Sequence, residues 1–552
     1  MSASEASAAP TASPQAPAPA GLTMPPARAL AYMLASVTLA MTQQIGANLV
    51  NTNVYQIQGE LGATIAETNW LIAAYMAPNV SLSLALIKIR MQYGLRNFAE
   101  ISLAGFVLAA FLNLVFVHDL PSAVVVRFMS GMAAAPMSSL AFFYMIEPLP
   151  PQKKLTVGLS LALTNTALGI PVTRLLSPPL LELGGFHGLT LFETGLAMVA
   201  FGFVFALPLT TPPRVKWIGP LDIVSYLLIA IGFGAIAVAL SLGRIYWWFE
   251  APWLGMLFAL AVICLTLAVI VELHRDSPLI DIRWLTSPAT LHFAGAILLM
   301  RIVLAEQTVG ASNFFQALGI QNEQTMPLYA IILCAILAGG LTCALLLRPG
   351  RENWFYGTAL ACVALGAWLD SGATSLTRPH DIRLSQALVA YGSGLFLPAA
   401  MAQGMGGAIV RGPIYILSFI TVFLFTQSIG GLLGSALFGS FITLRTTFHF
   451  NVLTEHFVLS EPLLVQRLNL FGGVYGHVLS DPALMRAEGV TLLAQRATQE
   501  AIVLAYNDAF MLISAIASLA LVGLLCHVAF LQLRQRAGAT RAQPAPDRSA
   551  PQ

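Results

Sequence analysis

The sequence predicts an all-α integral membrane protein with fourteen transmembrane helices. Three observations carry this. Only 9% of the 552 residues are charged, where a soluble domain carries about 25%. The 57% that are hydrophobic gather in long runs such as 221–242 and 252–271, near or above the roughly 20 apolar residues that span a bilayer. No segment alternates apolar and polar residues as a membrane β-strand does. A backbone in lipid must satisfy its own hydrogen bonds, so the runs are helices.

In chain order the spans are expected at 29–49, 67–87, 98–117, 121–144, 155–181, 187–208, 221–242, 252–272, 289–314, 325–347, 353–370, 383–405, 410–442 and 505–531. Lys and Arg collect in cytoplasmic loops. With the N-terminus inside, that side holds Arg28, then Lys88, Arg90 and Arg96, Lys153 and Lys154, Arg214 and Lys216, Arg275 and Arg283, Arg348 and Arg351, Arg411, and Arg534 and Arg536. The basic exceptions outside are Arg244, Arg378 and Arg383. An even number of spans puts both termini in the cytoplasm. Residues 1–27, rich in Ala, Pro and Ser, and 537–552 read as disordered cytoplasmic tails. A mixed-composition segment, 443–504, is expected outside as a small soluble loop between the last two spans.

A net charge of +2 suggests no nucleic-acid partner. The five cysteines, 264, 334, 343, 362 and 526, all lie in apolar runs without metal-ligand spacing. No cofactor or metal is expected. No GxxxxGK[ST] phosphate loop is present, which disfavours ATP-driven pumping. A membrane-embedded transferase would need convergent carboxylates or histidines near a membrane face, and no HxxE or DxxD set occurs.

Three stretches carry a family likeness. The fourth span contains RFMSGMAAAPM (127–137), an arginine followed by small residues, then EPLPPQKK (147–154). The fifth contains ALGIPVTRLLSPP (167–179), and the thirteenth TQSIGGLLGSALFGSFI (426–442), before the large outside segment. AYNDAF (505–510) opens the last span. Together these resemble the EmrB/QacA-like fourteen-helix drug:proton antiporters of the major facilitator superfamily. The resemblance covers roughly residues 28–533. It implies an N-terminal six-helix bundle (28–210), two inserted helices (211–285) and a C-terminal six-helix bundle (286–536) that carries the periplasmic loop 443–504. There are departures. Ser130 stands where the family has Gln, and Met91 and Gln92 replace the Asp-Arg pair of the loop after span 2. The stretch QQIGANLVNTNVY (43–55) lacks the acidic residue that often stands in span 1.

Charges inside a bilayer are costly and mark function or pairing. They are Arg127, Arg174, Glu193, Arg301 and Glu306, expected to couple protons and substrate. Glu193 is expected to pair with Arg174. Glu306, with no partner on its own helical face, is the expected proton carrier. Gln44, Asn48, Asn51 and Tyr55 fall at i, i+4, i+7 and i+11, on one helical face, and are expected to line a substrate cavity. Asp222, Glu272 and Glu147 read as boundary residues, and Trp217, Trp247, Trp248, Trp253, Trp284 and Trp354 as an interfacial belt.

The expectation is therefore a proton-gradient-driven exporter of amphipathic small molecules in a bacterial inner membrane. Three intramembrane arginines against two glutamates favour anionic compounds. The resemblance implies a periplasmic membrane-fusion adaptor and an outer-membrane channel as partners. The alternative is an uptake permease of the same fold for organic acids or sugars.

Overall fold

The computed structural model describes residues 23–150, 153–210, 218–275, 278, 281–348, 350–411, 413–455, 457–458, 460–474 and 476–541. Arg214, Lys216 and Trp217 lie outside these residues, as does most of both tails.

The N-terminal half holds α1 (Pro26–Thr52), α2 (Val54–Leu61), α3 (Ile65–Tyr93), α4 (Leu95–Phe116), α5 (Leu120–Ala134), α6 (Met137–Ile146), α7 (Leu159–Ala167) and α8 (Gly169–Ala206). The inserted pair is α9 (Pro220–Leu242) and α10 (Pro252–Leu273). The C-terminal half holds α11 (Ile282–Leu285), α12 (Pro288–Val303), α13 (Ala311–Ala317), α14 (Asn322–Leu346), α15 (Glu352–Asp370), α16 (Arg383–Arg411), α17 (Pro413–Glu455), α18 (Pro462–Gly473) and α19 (Pro482–Arg541). Wide π-turns at Lys154–Gly158 and Glu306–Gly310 lead into α7 and α13.

Among the described residues, ten helical stretches are long and apolar enough to cross a membrane, and the all-helical architecture is consistent with fourteen spans. One stretch, Thr156–Ala206, contains two expected spans. It doubles back at Gly184 and Gly185, where Gly185 takes φ 58° and ψ −145°, a backbone conformation that glycine tolerates best. The polar faces of α1 and α3 make these helices less apolar than their neighbours.

Small residues allow the bundles to close. A Cβ at Gly131, in the RFMSGMAAAPM run, would stand 2.1 Å from the carbonyl oxygen of Tyr75, so α5 meets α3 backbone to backbone. A Cβ at Gly169 would stand 2.3 Å from that of Gln44, and this fixes the approach of span 5 to span 1. One core fills the N-terminal bundle around Tyr32, Tyr75 and Phe106. A larger one fills the C-terminal bundle around Phe314, Phe423 and Phe510 and takes in Phe142, Leu159 and Leu163 of the N-terminal half.

Asp222 and Glu272 stand at helix ends, as their boundary reading has it, and both are also buried there, at the start of α9 and the end of α10. Lys88 of α3 donates to Asp222 at 2.6 Å, and Arg275 bridges Asp222 (2.7 Å) and Glu272 (3.2 Å). Gln92 accepts from the backbone N–H of Ile218 at 3.0 Å. Where the family has its Asp-Arg pair, the end of α3 is thus tied to the inserted helices. Asp222→Ala should destabilise the fold by about 3–5 kcal/mol, the usual cost of breaking a buried ionic contact. Thermal unfolding in detergent would read this, and an unchanged midpoint would refute it.

The tryptophan belt is also only partial. Trp354 is exposed, but Trp284 is buried, Trp253 stacks on Trp70 (5.6 Å between centroids) and Trp248 donates to Ser440 at 2.7 Å.

The segment 443–504, with its helix-prone stretch 483–504, is helical over most of its described length. α17 runs on to Glu455, and α19 begins at Pro482, well before its apolar stretch. Between them α18 packs Leu464, Leu468 and Phe471 on Leu493. Residues 482–504 alone extend α19 by about 35 Å at 1.5 Å per residue. Asp508 and Asn507, in the AYNDAF run, fix the base of this helical stalk. Asp508 accepts from Arg445 (2.6 Å) and stands 2.7 Å from His449, and Asn507 donates to the Ala373 carbonyl at 2.8 Å.

Candidate functional site

A cavity of ≈340 Å³ lies between the two halves, lined by residues of α1, α3, α8 and α9 on one side and of α12, α14, α16 and α17 on the other. Gln44, Asn48 and Asn51 line it. Tyr55 does not. α1 ends at Thr52, Asn53 leaves helical geometry (φ −122°, ψ 28°), and the face is lost. Tyr55 stands 52% exposed on α2.

The five intramembrane charges separate into four sites. Arg127 and Glu193 lie inside the N-terminal bundle, away from the cavity lining, both about 2% exposed or less. Arg127 donates to the Gly46 carbonyl at 2.7 Å, sits 4.6 Å over the Tyr75 ring and approaches Glu193 at 3.9 Å. The glutamate packs on span 1 at Gly46, where a Cβ would come within 2.8 Å of it.

Arg174 does not pair with Glu193, contrary to the sequence expectation. The two flank the Gly184–Gly185 turn, but Arg174 faces the C-terminal bundle. It donates to Asn322 Oδ1 at 2.8 Å and lies 5.6 Å from the Tyr329 centroid. Asn322 in turn donates to the Thr52 carbonyl (3.1 Å), and Asn53 donates to Ser177 (3.0 Å). All four polar side chains are buried. This clasp joins the C-terminal end of α1 and the first half of α8 to the N-terminal end of α14.

Glu306 is fully buried, and sequence reasoning missed its partners. Gln386 Nε2 donates both to Glu306 at 2.6 Å and to Asp370 at 2.7 Å. One amide thus links the two carboxyl groups. Ser385 also donates to Asp370. Among the described residues no cation pairs with either acid, and one Glu306 oxygen, Oε2, has no hydrogen-bond partner. Asp370 ends α15 and looks from the sequence like an interfacial residue, yet it is 2% exposed.

Arg301 alone of the five lines the cavity. Its Nε donates to the Gln427 carbonyl at 3.2 Å. The glycines of span 13 make room for it. A Cβ at Gly430 would stand 2.9 Å from Arg301 Cβ, and one at Gly431 2.6 Å from Nη2. A second arginine, Arg244, also lines the cavity. The sequence signal for it was its place among the few basic residues on the wrong side of the positive-inside pattern.

Two helical bundles with a cavity between them make up the architecture of the major facilitator fold. No protein-family model matches the chain. The multidrug export protein EmrB of Haemophilus influenzae is 24% identical over 316 residues, which cover 51% of this chain and 58% of that protein. The fatty acid resistance protein FarB of Neisseria gonorrhoeae is 25% identical over 328 residues, 54% of this chain and 61% of that one. The matches thus span about three-fifths of these relatives. A solved structure, the human organic anion transporter MFSD10, superposes with a TM-score of 0.53 at 11% identity, covering 90% of this chain and 100% of its own. The chain is thus similar in sequence to EmrB-like proteins, has the major facilitator fold, and is a multi-pass membrane protein.

Proposed function

We propose that this chain is a proton-coupled exporter of amphipathic small molecules, seated in a bacterial inner membrane with both termini in the cytoplasm and working by alternating access. The observation that carries the reading is the cavity, which draws its walls from both bundles, so that rocking one against the other would expose it to either face. The names of the two relatives, an export protein and a resistance protein, support export over uptake.

The coupling site in this reading is the Glu306–Asp370 pair. Two carboxyl groups share one amide, with no cation in contact among the described residues. A pair of this kind can take up and release one proton as its surroundings open and close. Glu193 is the weaker choice, because Arg127 stands beside it as a fixed counter-charge.

The stalk outside the membrane would meet a periplasmic adaptor and, through it, an outer-membrane channel. Inside-out vesicles test the core of the proposal. Energised vesicles should accumulate 11-(dansylamino)undecanoic acid against its gradient, and a protonophore should release it. Accumulation only in right-side-out vesicles would establish the uptake alternative instead.

A further inference from the structure

Arg301 and Arg244 are the only charged residues among those lining the central cavity, and no carboxylate pairs with either among the described residues. An uncompensated arginine in a membrane protein is costly unless it faces water or a ligand of opposite charge. Here there are two, presented to one cavity and set into the same helix. Gly430 and Gly431 of α17 accept Arg301, and Gly439 accepts Arg244, where a Cβ would stand 2.3 Å from Arg244 Cδ and 2.9 Å from Nη1. The glycine-rich run of span 13 is a cradle for two guanidinium groups as well as a packing surface.

The two arginines come from different bodies. Arg301 belongs to α12, in the C-terminal bundle. Arg244 follows α9, one of the inserted pair. That pair is moored to α3 of the N-terminal bundle at both ends, through Lys88–Asp222 on the cytoplasmic side and on the outer side through Trp70, which donates to Tyr246 at 3.0 Å and stacks on Trp253. Arg244 therefore reaches across from the N-terminal body onto a glycine of the C-terminal one. From Gly431 to Gly439 is about 12 Å along the helix axis, more than one carboxylate can bridge. Gly439 is the nearer to the outer end of α17.

We infer that the cavity is a two-station path for an amphipathic organic anion, with Arg301 as the inner station and Arg244 as the outer one. The guanidinium fork takes a carboxylate or sulfonate head group through paired N–H donors. The apolar tail lies against Ile72, Met76, Leu304 and Phe423, which also line the cavity. The inserted helices gain a role in this arrangement. They carry the outer cation on the body opposite the inner one, so rocking of the bundles passes the anion from one arginine to the other. Arg244 is a specificity-determining residue contributed by helices outside both six-helix bundles.

The inference rests on the export reading, and the two can fail separately. Binding is measured on the full chain in nanodiscs with 11-(dansylamino)undecanoic acid and with its methyl ester, and transport of both in proteoliposomes. The wild type should prefer the acid to the ester by about tenfold or more, the value of one charge-assisted hydrogen bond. Arg301→Gln should lower that preference in binding by about tenfold. Arg244→Gln should lower it more in transport rate than in affinity, and Arg244→Lys, which keeps the charge without the fork, should recover part of it. Equal affinity of the wild type for acid and ester, or binding of neither, overturns the inference. So do variants that lose acid and ester in proportion. Acid-selective binding without vesicle transport would instead sink the export reading and leave the anion site standing.

Discussion

Glu306→Gln is expected to bind substrate and exchange it across the membrane, yet fail to concentrate it. One proton moving down about 100 mV supplies roughly 2.3 kcal/mol, enough to hold a neutral solute at about a fiftyfold gradient. If the proton rides on the Glu306–Asp370 pair, its loss should reduce steady-state accumulation in energised proteoliposomes to about onefold. Counterflow exchange, which needs no gradient, should persist. The amide keeps the shape of the side chain and can still meet Gln386, so the bundle should fold. Asp370→Asn should reproduce the effect, because either substitution removes the shared site. Uphill accumulation with an unchanged pH dependence in both variants would move the coupling site to Glu193.

The second large effect is expected from the stalk. Deleting 455–495 removes α18 and the outer turns of α19. What remains includes the anchor at its base, Asp508 with Arg445 and His449, so insertion should survive. The stalk exposes Leu463, Leu470 and Val478, at 67%, 65% and 72%, outside the apolar stretch of the chain. Large exposed apolar side chains on a segment outside the membrane would offer a contact surface. Cells with the deleted form should lose resistance to the level of cells lacking the protein, while inside-out vesicles keep their transport rate. Full resistance in those cells would show that no adaptor needs the stalk.

Much of the fold was legible in the sequence because it rests on long-range simple patterns. Apolar runs locate helices, and Gly131, Gly169 and Gly431 mark close approaches in the motifs that contain them. The site was legible only in part. Helical spacing located Gln44, Asn48 and Asn51 correctly on the cavity but carried Tyr55 along, because nothing local announces the break at Asn53. Charge pairing failed where it depended on which face a side chain presents. Arg174 and Glu193 sit at similar depth on adjacent spans, yet they turn to opposite neighbours. Asp370, Asp222 and Lys88 look interfacial from their place at span ends. They are buried because a second helix covers each end, and no single-helix reading contains that helix.

The Arg174 clasp has a consequence for how the molecule opens. Its arginine is held by an amide, not by a carboxylate. Releasing Arg174 from Asn322 gives up a hydrogen bond worth about 1.5–3 kcal/mol, which water can replace once it enters. A carboxylate at 322 would set two opposite charges against separation in a dry seam, at about 3–5 kcal/mol. The door on that side is lightly sprung. In the proposed alternating-access cycle such a latch would resist leakage when the chamber is empty but yield to the modest push of one bound guest, so timing of the outward stroke would rest with the cargo.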